Sequence, residues 1–150
     1  MTADRDDVRR LEEDFQRICT MIAEQRHAHR RSLAQFEAAP VDPPSPRHDA
    51  FAREVVAQAA HMLGLDHPPP LRWVEDKAAG FAGFCGADGV ALVASCRQLA
   101  FTECGVTAIH ETVHAGRPDW SDEAVEEFAQ RTAPTILAAA QRVVGPAPWP

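Results

Sequence analysis

The segment His110-Glu111-Thr112-Val113-His114, followed closely by Trp120-Ser121-Asp122-Glu123, decides how this chain is read. In a helix, residues four apart share a face, so His110 and His114 can hold one metal ion between them. Glu111, one step round the helix, can still reach a water molecule beside that ion. The composition gives this five-residue pattern a chance occurrence of roughly two per cent. A helix carrying two half-exposed surface histidines, in a domain where they are incidental, is the competing interpretation, and the flanking sequence favours the metal.

Working outward, Thr102 is suited to cap a helix that runs to about Ala115, with Val106, Ile109 and Val113 as its buried face. His110 and His114 then lie on the flank of that face. Gly116 and Pro118 end the helix. A new helix is expected from near Ser121 to about Arg131, with Ala124, Val125, Phe128 and Ala129 inward. Pro134 is expected to interrupt it, leaving Thr135 to Val144 as a last helix. Upstream, Leu71–Glu75, Gly80–Cys85 and Val90–Ala94 read as three strands, with a turn at Ala87-Asp88-Gly89. The expected sheet is an antiparallel meander. With the turn centred near Asp88, Cys85 falls opposite about Ala91, so Cys85 and Cys96 are not cross-strand partners.

Further back, His48 to Leu63 reads as a helix with Phe51, Val55, Ala59 and Met62 on one side and Gly64 closing it. Pro40-Val41-Asp42-Pro43-Pro44-Ser45-Pro46 reads as a linker, since four prolines in seven residues suit neither helix nor sheet. Before it, Asp4 to Ala38 reads as one long helix. Val8, Leu11, Phe15, Ile18 and Ile22 alternate at spacings of three and four, a narrow seam suited to packing on the domain or to a coiled coil. His27 and His29 read as surface residues of that helix. The fold class is α+β: residues 1–38 a long helix, 39–47 a Pro-rich linker, 48–145 a compact domain and 146–150 a tail.

A length of 150 residues with 45% hydrophobic content suits one domain with a real core. The net charge of −7 argues against nucleic acid or an anionic membrane as the main partner. Between Gln98 and Gln130, seven acidic residues accompany a single basic one, Arg117, a field that favours a cation. The charged start and the lack of an apolar span lead to the expectation of a cytoplasmic protein. Four cysteines, Cys19, Cys85, Cys96 and Cys104, form no Cys-x-x-Cys pair and read as small apolar residues, with Cys104 a minor candidate thiolate ligand.

Two histidines leave a zinc ion one protein ligand short, with a fourth position for water. No histidine follows His114, so the third ligand is a nearby carboxylate or a group folded in from upstream; the downstream candidates are Asp119, Asp122, Glu123, Glu126 and Glu127. The run from His110 to His114, taken with Pro118 to Phe128, resembles the core of gluzincin-type zinc metallopeptidases. Many of these follow the two-histidine helix with a Trp-Leu-x-Glu-Gly segment whose glutamate is the third ligand. The resemblance covers about Val90 to Thr135 and assigns that role to Glu123. The sequence departs from the pattern at Ser121, usually Leu, and at Ala124, usually Gly.

The resemblance implies a zincin-like fold with an edge strand beside the cleft and Zn2+ held by His110, His114 and Glu123. It implies peptide hydrolysis by metal-activated water, with Glu111 as general base. Glu127, one turn beyond Glu123, is a candidate to orient a ligating imidazole; Glu126 and Asp122 read as surface residues. The oxyanion needs a donor, and the chain has no Tyr. His48, His61, His67, Arg117, Arg131 and the backbone are the candidates. The expected partner is a peptide or protein substrate, with the N-terminal helix as a homodimer or partner surface. The alternative is a metallopeptidase-like module that binds a peptide or partner with little or no turnover.

Overall fold

The computed structural model describes residues 5–75, 82–86, 89–94 and 101–145, with the side chains of 6, 23–37, 86 and 101–104 excepted. Among these the elements run α1 (Arg5–Glu37), α2 (Pro46–Met62), β1 (Leu71–Val74), β2 (Gly83–Gly86), β3 (Gly89–Val93), α3 (Phe101–Gly116) and α4 (Asp122–Val144). The class is α+β, as expected. No helix among the described residues is long and apolar enough to cross a membrane.

The sheet corrects the expected meander. Its order is β1-β3-β2: β1 pairs with β3 in parallel, and β2 pairs with β3 antiparallel. The physical reason lies in β3 itself, where every residue from Gly89 to Val93 is buried. A strand apolar on both faces belongs in the centre, flanked on both edges and covered on both sides. Leu71, Trp73, Val90 and Leu92 face the helices and form the main core with α2, α3 and α4. Val74, Phe84, Ala91 and Val93 face the other way, where they meet Ala38. The hairpin register sets Cys85 opposite Val90 and Phe84 opposite Ala91, one residue from the expected alignment. Cys19 is an exposed free thiol, and Cys85 is half-buried. Cys96, most of the expected turn and the residues before Phe101 lie outside the described residues.

The proline-rich segment does more than connect. Pro40 bridges Val74, Val41 N donates to Trp73 O at 3.0 Å, and Glu75 N donates to Ala39 O at 3.0 Å. Its end serves α2, because Ser45 is the N-cap and Pro46 is a helical residue whose missing N–H costs nothing there. The helix therefore starts two residues before His48. At its far end Gly64 adopts φ 73°, with Gly64 N donating to His61 O and Leu65 N to Ala60 O, a Schellman closure. Met62 is exposed, and Leu63 takes the inward place.

Pro134 does not interrupt α4, which continues to Val144. An interior proline removes a hydrogen bond and costs about 3 kcal/mol. It is exposed, so the orphaned carbonyl four residues back can bond water. Thr132, Ala133, Ile136, Leu137 and Ala140 are buried on either side of it. Each large aliphatic in such a stripe contributes about 1.5–3 kcal/mol, enough to carry the helix through. The start of α3 also differs: the helix includes Phe101, so Thr102 lies inside it rather than capping it.

One polar clamp fixes α2 to β1. Asp49 accepts from Trp73 Nε1 at 2.9 Å and from Arg53 Nε at 2.8 Å. Burial pushes the Asp49 carboxyl up, but the hydrogen bonds from Arg53 and Trp73 and the Arg53 charge outweigh it and hold the carboxyl below its usual value. A depressed folded-state pKa gives stability that is present above the unfolded value and lost as pH falls through the folded one. Urea denaturation of wild type and Asp49→Asn should therefore differ by about 1–2 kcal/mol at neutral pH. That gap should close as pH falls below about 4.

Candidate metal centre

α3 is the central helix, packed against α2, α4, β2 and β3. Gly105, Ala108, Ile109, Thr112 and Val113 are buried along it, and Thr112 Oγ1 satisfies itself on Ala108 O at 2.7 Å. Gly105 allows this closeness, since a Cβ there would collide with Leu137 of α4. On the β2 side a Cβ at Gly83 would lie 3.0 Å from Thr107 Cγ2. What remains open is a narrow flank, and it carries His110 and His114.

The connection to α4 is tight. Arg117 N donates to Val113 O at 2.7 Å and Trp120 N to Arg117 O at 3.1 Å. The Arg117 guanidinium donates to Leu63 O and Gly116 O, tying the C-terminal ends of α2 and α3 together. Ser121 caps α4 by accepting from Ala124 N at 3.2 Å. The first turn of α4 is thereby held beside the last turns of α3, which brings carboxylates to the histidines.

His114 Nε2 lies 3.0 Å from His110 Nε2. His110 Nδ1 lies 2.9 Å from Glu126 Oε2, and His114 Nε2 lies 3.2 Å from Asp122 Oδ1. The two imidazoles are 18% and 11% exposed. Glu111 is 3% exposed, an uncommon placement for a carboxylate on a helix packed largely with small and aliphatic side chains. The carboxylates at the histidines are the two that read as surface residues in the sequence; they do remain 41% and 53% exposed while meeting the imidazoles. Asp122 and Glu126 are four apart and point the same way from α4. Glu123 is exposed, and at 100° per residue it sits about 60° farther from the buried stripe than Glu126. Glu127 is exposed and lines a groove of about 390 Å³ with Trp120, Ser121, Ala124, Phe128 and Arg131. The histidine pair does not line that groove. The signal that could have found Asp122 and Glu126 was their spacing of four, in phase with Ala129, Ala133 and Ala140.

The donor set fits a zinc ion in type and, for two ligands, in spacing. Two nitrogens about 2.05 Å from a tetrahedral zinc stand roughly 3.3 Å apart, close to the separation of the two Nε2 atoms. A carboxylate on His110 Nδ1 fixes the tautomer that leaves Nε2 free to ligate. Among the described residues no group of three or more His, Cys, Asp or Glu converges as a complete metal cage. The Cys104 side chain lies outside the described residues. Of the oxyanion candidates, His48 is bonded to Ser45, His61 and His67 are exposed, Arg117 is tied to backbone carbonyls and Arg131 stacks over Phe128.

Comparison with protein-family models, with curated proteins and with solved structures returned no match.

If His110 and His114 hold zinc, as the sequence leads one to expect, chelator competition should show its affinity falling about 10–100-fold in Glu126→Ala, the usual cost of losing an orienting partner. Glu127→Ala should leave it unchanged; equal loss in both would assign the effect to general surface charge.

Proposed function

We propose that the chain is a zinc-dependent metallopeptidase, with His110 and His114 as two ligands, a carboxylate from the first turn of α4 as the third, and Glu111 as general base. The observation that carries this reading is the convergence of two imidazole Nε2 atoms at 3.0 Å, on a helix whose Glu111, the residue after His110, is buried. A zinc ion bound there would supply polarisation of a water molecule and of the scissile carbonyl. Glu111 then accepts the proton of the attacking water and delivers it to the leaving amine. Glu126 holds the His110 ring through Nδ1 so that its other nitrogen keeps a lone pair for the metal.

Two residues compete for the third ligand. The gluzincin resemblance assigns it to Glu123; proximity to His114 favours Asp122. A zincin-like fold is the finer reading of the α+β class, supported by the edge strand β2, antiparallel to β3 and close to Thr107 of α3. Such an edge suits an extended peptide, and peptides or proteins are the proposed substrates. The exposed free thiol of Cys19 accords with a cytoplasmic location, and the charge of −7 with a partner other than nucleic acid.

A second reading, a metallopeptidase-like module that binds peptide with little turnover, draws on the absence of Tyr and on Arg117 being engaged with backbone carbonyls. Glu111→Gln separates the two. In a peptidase it abolishes hydrolysis, measured on a casein or peptide-library digest, while bound zinc persists; in a pure binder there is no hydrolysis to lose. Elemental analysis of Asp122→Ala and Glu123→Ala side by side identifies the third ligand. The true ligand's variant should fall well below one zinc per chain, and retention of full zinc in both would remove α4 from the ligand set.

A further inference from the structure

Among the described residues, nothing covers the first half of α1. Every described side chain from Arg5 to Ile22 is exposed. Val8, Leu11, Phe15, Ile18, Met21 and Ile22 are each between 44% and 69% exposed. Soluble monomers rarely leave a contiguous strip of this size open. The spacing of three and four along Val8, Leu11, Phe15, Ile18 and Ile22 is the a/d pattern that asks for another helix rather than a flat surface.

Charge selects which helix. Met1 to Phe36 holds seven acidic and seven basic residues, so the whole formal charge of −7 resides in residues 37–150. On the flanks, Arg9 pairs with Glu13 and Arg17 with Asp14, which leaves the seam bordered by internally neutralised pairs. Two copies of this chain repel through their compact domains and can approach through α1 alone. A parallel pair would bring both acidic domains together at one end. An antiparallel pair centred between Phe15 and Ile18 separates the domain ends of α1 by on the order of 60 Å, far beyond the screening length of about 8 Å. That register also sets the central seam on itself, with Leu11 facing Ile22 of the second copy and Phe15 facing Ile18, and leaves Val8 at its margin opposite position 25.

We infer that the chain self-associates as a twofold antiparallel dimer through the Val8–Ile22 seam of α1. The contact is isologous and closes at two, so it does not propagate. It is independent of any metal at α3.

Sedimentation equilibrium of the full chain at tens of micromolar should give twice the 16.4 kDa chain mass. Phe15→Glu combined with Ile18→Glu should return it to one chain with an unchanged urea midpoint for the compact domain, since both side chains lie outside the core. Orientation is read in a Cys19→Ser background by mixing Leu11→Cys and Ile22→Cys chains under mild oxidation. Disulfides between the two variants support the antiparallel pair, whereas Leu11→Cys homodimers overturn it. A monomeric wild type, including one whose seam folds back on its own domain, overturns the inference, as does a dimer that survives the double glutamate variant.

Discussion

The close approach of α3 to α4 is the constraint on which the rest of the structure depends. α3 must bury most of its circumference against two helices and the sheet, and a glycine at position 105 lets α4 come near enough for that. The short connection through Arg117 and Trp120, with Ser121 as cap, then determines which residues of α4 stand beside the last turns of α3. The histidine flank exists because it is the remaining side of a helix otherwise enclosed. The pairing of imidazoles with carboxylates is therefore a consequence of helix packing, and any shift of α4 about its axis would change which carboxylates take part.

Much of this was legible in the sequence because local chemistry and tertiary demand agree. The buried face of Ile109 and Val113, the helix start near Ser121 and the closing Gly64 each follow from a residue type whose preference the fold accepts. The α+β class followed from the same signals. The parts that were not legible involve competition between local preference and packing. Pro134 speaks for a break, yet the buried stripe on both sides of it keeps α4 continuous. The three apolar segments allowed a meander, but only pairing partners decide strand order, and the fully buried β3 takes the centre. Prolines between residues 40 and 46 signal irregular backbone without revealing that Pro40 and Val41 pair along β1.

The candidate centre shows the same division. The His110–His114 spacing of four is a property of any helix and needed no tertiary information. The rotation of α4 is a tertiary property, set by Val125, Ala129, Ile136 and Ala140 filling the core. It brings Asp122 and the exposed Glu126 to the histidines and turns Glu123 about 60° farther from the buried stripe than Glu126, a distinction that residue types cannot encode. Arg117, a candidate oxyanion donor on charge alone, instead ties two helix ends together.

The central claim is that His110 and His114 share one zinc ion among nitrogen and oxygen donors. X-ray absorption at the zinc edge of the metal-loaded protein tests it most directly. The account predicts scattering from two imidazole rings with all donors at about 2.0–2.2 Å. A sulfur shell at about 2.3 Å, or a spectrum without imidazole scattering, would contradict it and move the metal away from α3.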